Sequence, residues 1–153
     1  MGIGSGFVGR LQRAQVGLRA IHDPTTRTAV VLGYDDLHYP YPLLFPLLQF
    51  ERIAIADPRD IACMKLDAIG NRGSRRDFVD LHLAAQTYGL NEIFGWFAQR
   101  YASVSYSRTH LFKALTCFED AEREPMPDML VPLDWAAVKQ YFFSQVPRLP
   151  RLR

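Results

Sequence analysis

The spacing of hydrophobic and polar residues changes near residue 57. Before this point, the alternating β-branched run 27–32 and the short apolar run 52–56 are typical of strands. After it, apolar residues recur at intervals of three and four, which is typical of amphipathic helices. The pattern therefore predicts a single α+β domain, with a small β portion over residues 1–56, a helical portion over 57–146 and a tail over 147–153.

Capping residues set the limits of the first two helices. Asp57, followed by proline, predicts the start of a helix that runs to about Gly70. Ser74, with Asp77 three positions later, matches a capping box and predicts the start of a second helix, which Gly89 ends. A short turn therefore joins two neighbouring helices.

Three more helices are predicted at 91–101, 105–118 and 134–146. Residues 38–50 contain three prolines among leucines and aromatic residues. Proline excludes regular helix and central strand, so we predict an extended segment laid across the core and buried by its apolar side chains.

Composition excludes several classes of protein. Of the 153 residues, 48% are hydrophobic and 22% are charged, which is typical of a globular domain and not of a disordered chain. Cys63 and Cys117 lack metal-ligand spacing and are predicted to be two buried thiols in a reducing compartment. The four histidines lack such spacing as well, and each is expected to be structural. No bilayer-length apolar stretch or signal peptide is present, so we expect a cytoplasmic protein without a membrane partner.

The net charge of +2 is too small to indicate a nucleic-acid partner by itself. Only three of the 18 basic residues are lysines, and arginine suits contacts to phosphate and carboxylate, although genome base composition explains the bias equally well. The glycine pattern over residues 4–9 matches GxGxxG but has no preceding strand, so we do not expect dinucleotide binding there.

One lysine falls on the apolar face of the first predicted helix. At about 100° per residue, Lys65 shares a face with Ile61 and Ala68 and therefore points inward. On the opposite side of this helix, Asp60 and Asp67 are expected to face solvent, and Cys63 lies between them.

The second predicted helix places two carboxylates toward the same corner. Asp77 lies on its apolar face and Asp80 lies one turn along, so the short turn should bring both close to Lys65 and Arg72. A lysine in a partly dry site suits a phosphate oxygen, and a neighbouring carboxylate suits Mg²⁺ or a proton. Phosphoryl or nucleotidyl transfer fits this set best. Helix capping, an ordinary salt bridge and a lysine reaching out to solvent explain the same residues without any chemistry.

The motif that carries these residues resembles that of the AbiEii/AbiGii nucleotidyltransferases, the toxins of type IV abortive-infection toxin-antitoxin systems. Residues 55–81 contain Met-Lys, then Ala-Ile, then Arg, then Arg-Asp-x-x-Asp-Leu. The resemblance implies transfer of a nucleotide from a nucleoside triphosphate to an acceptor such as tRNA, with Mg²⁺ as cofactor and a cognate antitoxin as possible partner.

Residue roles follow from the resemblance by position in the motif. It makes Lys65 a phosphate-binding and catalytic residue, Asp80 the catalytic aspartate and a metal ligand, and Asp77 a supporting residue. Arg72 is a supporting residue as well. The residues themselves, and not the motif, suggest that Arg72, Arg75 and Arg76 crowd the corner beside Lys65 and suit nucleotide or phosphate. Asp36 is a candidate for a further metal ligand.

The family also carries an Asp-x-Asp motif after a Gly-Ser or Gly-Gly-Thr turn, and no such motif precedes Lys65. We therefore expect an N-terminally shortened enzyme that is inactive or impaired as this chain alone. The alternative is a non-catalytic module that keeps the helical fold and binds RNA or protein. One ring of the aromatic run 141–143 must face outward, which would allow a contact between copies of the chain.

Overall fold

The computed structural model describes residues 19–21, 29–31, 41–50 and 53–150. The described strands are β1 (Arg19–Ile21), β2 (Ala29–Val31), β3 (Leu48–Phe50) and β4 (Ile53–Ile55). The described helices are α1 (Pro58–Arg72), α2 (Arg75–Tyr88), α3 (Leu90–Arg100), α4 (Arg108–Ala114), α5 (Glu119–Glu122) and α6 (Trp135–Gln145), followed by a 3-10 helix (Val146–Arg148). This order confirms the predicted α+β fold, with a small β portion and then a predominantly helical portion.

The described strands form two separate antiparallel pairs. β1 pairs with β2, so that Arg19 lies opposite Val31, and β3 pairs with β4, so that Leu48 lies opposite Ile55. Within the described residues, the strands predicted at 27–32 and 52–56 are present as β2 and β4. β1 and β3 were not predicted, because three residues are too few to show an alternating pattern.

α1 begins where the sequence predicts and is surrounded by other elements. The Asp57 side chain accepts a hydrogen bond from the Arg59 backbone N–H at 2.9 Å, as expected of an N-cap. Burial raises the pKa of Asp57, but its bonds to Arg59 outweigh burial and hold that pKa below the ordinary value. The helix ends at Arg72, two residues beyond the predicted end.

The expectation that Asp60 faces solvent is wrong, since it is fully buried, whereas the predicted burial of Cys63 is confirmed. The Asp60 carboxylate accepts backbone N–H bonds from Leu44 at 2.9 Å and Phe45 at 3.0 Å, and it pairs with Arg100 of α3. α1 also packs against α2, α3 and α4, so the side opposite Lys65 is covered as well.

Residues 41–47, here called the strap, cross this covered side of α1. Leu43 and Leu47 are 38% and 45% exposed, so the predicted burial of the segment is wrong for these leucines. Its aromatic residues do pack inward: the Phe45 ring lies against Trp96 and under the Arg59 guanidinium, which is 3.6 Å from the ring centroid. The backbone bonds to Asp60, more than leucine burial, therefore hold the strap in place.

The core lies between the helices. Phe78 of α2 contacts the rings of Phe118, Trp135 and Phe142 and so joins α2 to α6. Phe94 and Phe97 of α3 are each 2% exposed and belong to the same core. The outward-facing ring predicted within 141–143 is Phe143, at 54% exposure.

The C-terminal third differs from the prediction in three details. Ser107, two residues after Ser105, caps α4, and the helix predicted over 105–118 ends at Ala114, with α5 following as a separate short helix beyond residue 118. Leu149 is 6% exposed, so the predicted tail is packed at its beginning. Cys117 is exposed, which contradicts the prediction of two buried thiols, whereas burial raises the pKa of the Cys63 thiol to about 12.

Over the residues that the structure describes, no helix is both long and apolar enough to cross a bilayer.

Candidate functional site

Lys65, Asp77 and Asp80 meet where α1 and α2 pack together. The Lys65 Nζ lies 2.9 Å from Asp77 Oδ1 and 2.7 Å from Asp80 Oδ2. The Lys65 side chain is 2% exposed, so its ammonium lies inside the protein between two carboxylates. The predicted meeting of these three residues is confirmed, and we call them the charged triad.

Asp77 serves two neighbours with its two oxygens. Its Oδ1 accepts the hydrogen bond from Lys65, while its Oδ2 accepts bonds from the Ser74 backbone N–H at 3.1 Å and the Ser74 hydroxyl at 2.7 Å. The Asp77 backbone N–H in turn donates to the Ser74 hydroxyl, which completes the predicted capping box. Capping and pairing with lysine therefore occur together.

Asp80 is held differently. Its side chain is 6% exposed and its Oδ2 is close to the ammonium, yet no donor is aligned with that oxygen for a hydrogen bond. We describe the contact as an ion pair. An oxygen that lies in a charged contact without an aligned donor keeps the capacity to accept one.

The charged triad carries one more negative than positive charge when all three groups are ionised. Burial raises the pKa of Asp80 to about 6, with Asp77 adding to the rise, while Lys65 and Arg76 oppose it. Burial alone would lower the pKa of Lys65, but Asp80 and Asp77 outweigh burial and raise it. At neutral pH the lysine is therefore a cation, and Asp80 is ionised but close to its pKa.

This raised pKa predicts a pH-dependent difference between the wild type and Asp80→Asn. Because the Asp80 pKa is about 6 in the folded chain and near 3.8 when unfolded, the folded state binds the proton more tightly within that window. The wild type should therefore lose stability relative to Asp80→Asn as the pH rises from 3.8 to about 6. The Lys65 contribution stays constant there, since its raised pKa lies above 10.5.

Urea denaturation of both proteins across this pH range measures the difference. If the free energies of unfolding of the two proteins changed with pH in the same way, the raised pKa of Asp80 would be contradicted.

The three candidate phosphate-binding arginines have different surroundings. Arg72 is 83% exposed, and its guanidinium lies 3.9 Å from the Asp120 carboxylate. The Arg75 guanidinium donates to the backbone carbonyls of Ala121 at 2.8 Å and Glu122 at 3.0 Å. Arg75 therefore joins α2 to α5, and the expectation that it lies with the charged triad needs correction. Arg76 is exposed, and its charge acts on Asp80.

The described residues do not make a metal site by themselves. Among them, no three Asp, Glu, His or Cys side chains converge as ligands, and Asp80 already faces an ammonium. Asp36, the other predicted ligand, lies outside the described residues, as does the glycine pattern over 4–9. The resemblance implies Mg²⁺, but the described residues do not fit that ion without further ligands.

Sequence reasoning missed the buried pair of Asp60 and Arg100. A signal was present, because Arg100 follows Ile93 and Phe97 at helical spacing and so falls on the buried face of α3. Nothing in the local pattern could have shown that Asp60, 40 residues away, lies opposite it.

Comparison with known proteins places the chain in a family. Residues 15–153 match the family model described as "Nucleotidyl transferase AbiEii toxin, Type IV TA system". The chain is 36% identical over 119 residues to the "Uncharacterized protein aq_aa25" of Aquifex aeolicus (strain VF5), an alignment that covers 75% of this chain and 56% of that protein. The chain thus spans just over half of that relative's length, and no solved structure matches it. Because the family model matches most of the chain, including the charged triad, the chain belongs to the AbiEii nucleotidyl transferase toxin family.

Proposed function

We propose that this chain acts in nucleotidyl transfer from a nucleoside triphosphate to an RNA acceptor such as tRNA, with Lys65 and Asp80 as its reactive residues. The observation that carries the proposal is the burial of Lys65 between Asp77 and Asp80, within the residues that the family model matches. Desolvating three charged groups costs several kcal/mol per ion, and apolar residues often replace such groups without loss of stability. A role in catalysis would explain why three charged groups are buried at this position.

Each reactive residue has a role that its surroundings support. Lys65 would give a point charge to a phosphate oxygen of the nucleotide. The acceptor hydroxyl oxygen would bond to the α-phosphorus as the bond to the leaving pyrophosphate breaks, and the hydroxyl proton would pass to Asp80. An Asp80 pKa of about 6 suits a proton acceptor at neutral pH. Arg76, exposed beside Asp80, would contact the polyanionic substrate.

The charged triad also suggests that transfer by this chain alone is slow. Both carboxylates already pair with Lys65, and the ammonium is closed to solvent. Substrate binding must therefore open the ion pairs. The described residues do not fit Mg²⁺ alone, and Asp80 and Asp36 remain its proposed ligands.

Transfer of a labelled nucleotide to tRNA in the presence of Mg²⁺ tests the proposal. We expect slow but measurable transfer by the wild type and a loss of about 100-fold or more in Lys65→Ala and in Asp80→Asn. Lys113→Ala, which changes an exposed lysine, is the matched control and should retain transfer. Nucleoside triphosphate binding that depends on Lys65, without transfer, would identify an impaired enzyme. The absence of both would overturn the enzymatic proposal.

The second candidate is a non-catalytic RNA-binding module, favoured by the closed triad and the two exposed arginines, Arg72 and Arg76. It predicts that Arg72→Gln and Arg76→Gln each weaken RNA binding and lower its salt slope by about one, whereas Asp80→Asn has no effect. Arg148→Gln, an exposed arginine elsewhere, is the control. Titration of RNA at several salt concentrations measures the slope, and equal binding by all variants would exclude this candidate.

The family description also supports a cognate antitoxin as a proposed partner. A cytoplasmic location remains a proposal from the sequence. A contact between copies of the chain remains a prediction, supported by the exposed ring of Phe143.

A further inference from the structure

We propose that Ser74 is a positioning residue for Lys65 and acts through the Asp77 carboxylate. The contacts form one continuous chain from the Ser74 hydroxyl to Asp77 Oδ2, and from Asp77 Oδ1 to the Lys65 ammonium. Ser74 itself contacts neither Lys65 nor Asp80 in any described hydrogen bond or ion pair. The importance of this position for chemistry rests on the proposed function of Lys65.

The geometry explains how a cap residue can direct a lysine 9 positions earlier in the sequence. Two donors from Ser74 hold Asp77 Oδ2, at 2.7 Å from the hydroxyl and 3.1 Å from the backbone N–H. A carboxylate held at one oxygen by two donors has little freedom to rotate, so its other oxygen stays directed at the ammonium. Hydrogen bonds to a charged group are stronger than those between neutral groups, which favours this fixed arrangement.

Another capping serine in the described part of the chain shows what an ordinary cap does. Ser107 caps α4 by accepting a hydrogen bond from the His110 backbone N–H at 3.2 Å, and the described structure gives it no bond to a charged side chain. Ser74 also caps a helix but donates to a carboxylate that binds Lys65. A comparison of variants at the two serines therefore distinguishes the effect of losing a helix cap from the effect of losing the positioning of Lys65.

Acetylation of lysine side chains in the folded, full chain tests the inference directly. A water-soluble N-hydroxysuccinimide ester of acetic acid is the probe, and peptide mass spectrometry gives the rate at each lysine. The chain has three lysines, so Lys113 and Lys139 serve as internal references. In the wild type, we expect Lys65 to react far more slowly than the exposed Lys113.

Ser74→Ala and Ser74→Gly should each speed acetylation of Lys65 by about fivefold, while the Lys113 rate stays unchanged. Glycine is itself an acceptable N-cap, so Ser74→Gly removes the hydroxyl while keeping most of the cap's stabilising effect. Ser74→Thr keeps a hydroxyl and should restore the protection of Lys65. Ser107→Ala loses a cap without touching Asp77 and should leave the Lys65 rate as in the wild type.

An unchanged Lys65 rate in both Ser74→Ala and Ser74→Gly would overturn the inference, as would an equal increase in Ser107→Ala. The acetylation rate reports on Lys65 whether or not the chain transfers nucleotides. Failure here is therefore distinct from failure of the proposed function, which the Lys65→Ala transfer assay decides.

Discussion

Asp60→Ala should lower the free energy of unfolding by about 3–5 kcal/mol, the effect expected when one partner of a buried ion pair is removed. Asp60 is fully buried and Arg100 is 2% exposed, so the variant leaves the Arg100 guanidinium inside the protein without this carboxylate. The backbone N–H groups of Leu44 and Phe45 lose their acceptor in the same change. Urea denaturation measures the loss.

A matched control comes from an exposed pair. Arg123 and Glu119 lie 3.1 Å apart with side chains 69% and 77% exposed, so Glu119→Ala should change stability by no more than about 1 kcal/mol. Asp60→Asn keeps an acceptor for the strap but not the charge, and should fall between the wild type and Asp60→Ala. If Asp60→Ala cost no more than Glu119→Ala, the buried pair would not hold the strap and α3 to α1.

Lys65→Met should also destabilise the chain by about 3–5 kcal/mol at neutral pH, because it leaves two carboxylates facing each other without their cation. The loss should be smaller in mild acid. Without the lysine, protonation of Asp80 removes one of the two buried charges, and the Asp80 pKa is already about 6 with the lysine present. Denaturation at neutral pH and below the Asp80 pKa measures both effects.

The double variant Lys65→Met/Asp80→Asn separates the charge from the packing. It removes the cation together with one carboxylate and should regain part of the stability lost in Lys65→Met. Lys113→Met, at an exposed position, should change stability by less than about 0.5 kcal/mol. A Lys65→Met cost equal to that of Lys113→Met, or one that grows in acid, would contradict the buried triad.

The sequence predicts most of the helical portion because the signals there are local. Asp57 and Pro58 begin α1, the capping box of Ser74 and Asp77 begins α2, and Gly89 ends it. Each of these acts over three or four residues, within reach of backbone hydrogen bonding. The predictions failed for the helix start at Ser105 and for the tail at residues 147–150. Packing against the core, and not a local signal, decides the boundaries there.

By itself, the sequence determined that Lys65 lies on the apolar face of α1, close to Asp77 and Asp80, and it left open whether the ammonium reaches solvent. Helical periodicity sets the direction in which each side chain points. The two-residue turn between α1 and α2 makes the two helices neighbours. Only the tertiary structure decided the opposite side of α1, where Asp60 is buried by a strap 15 residues away and by Arg100, 40 residues away. The tertiary structure also decided that the Arg75 guanidinium contacts α5 and not the charged triad. Such contacts depend on which distant segments pack together, and a local pattern of residues contains no record of that.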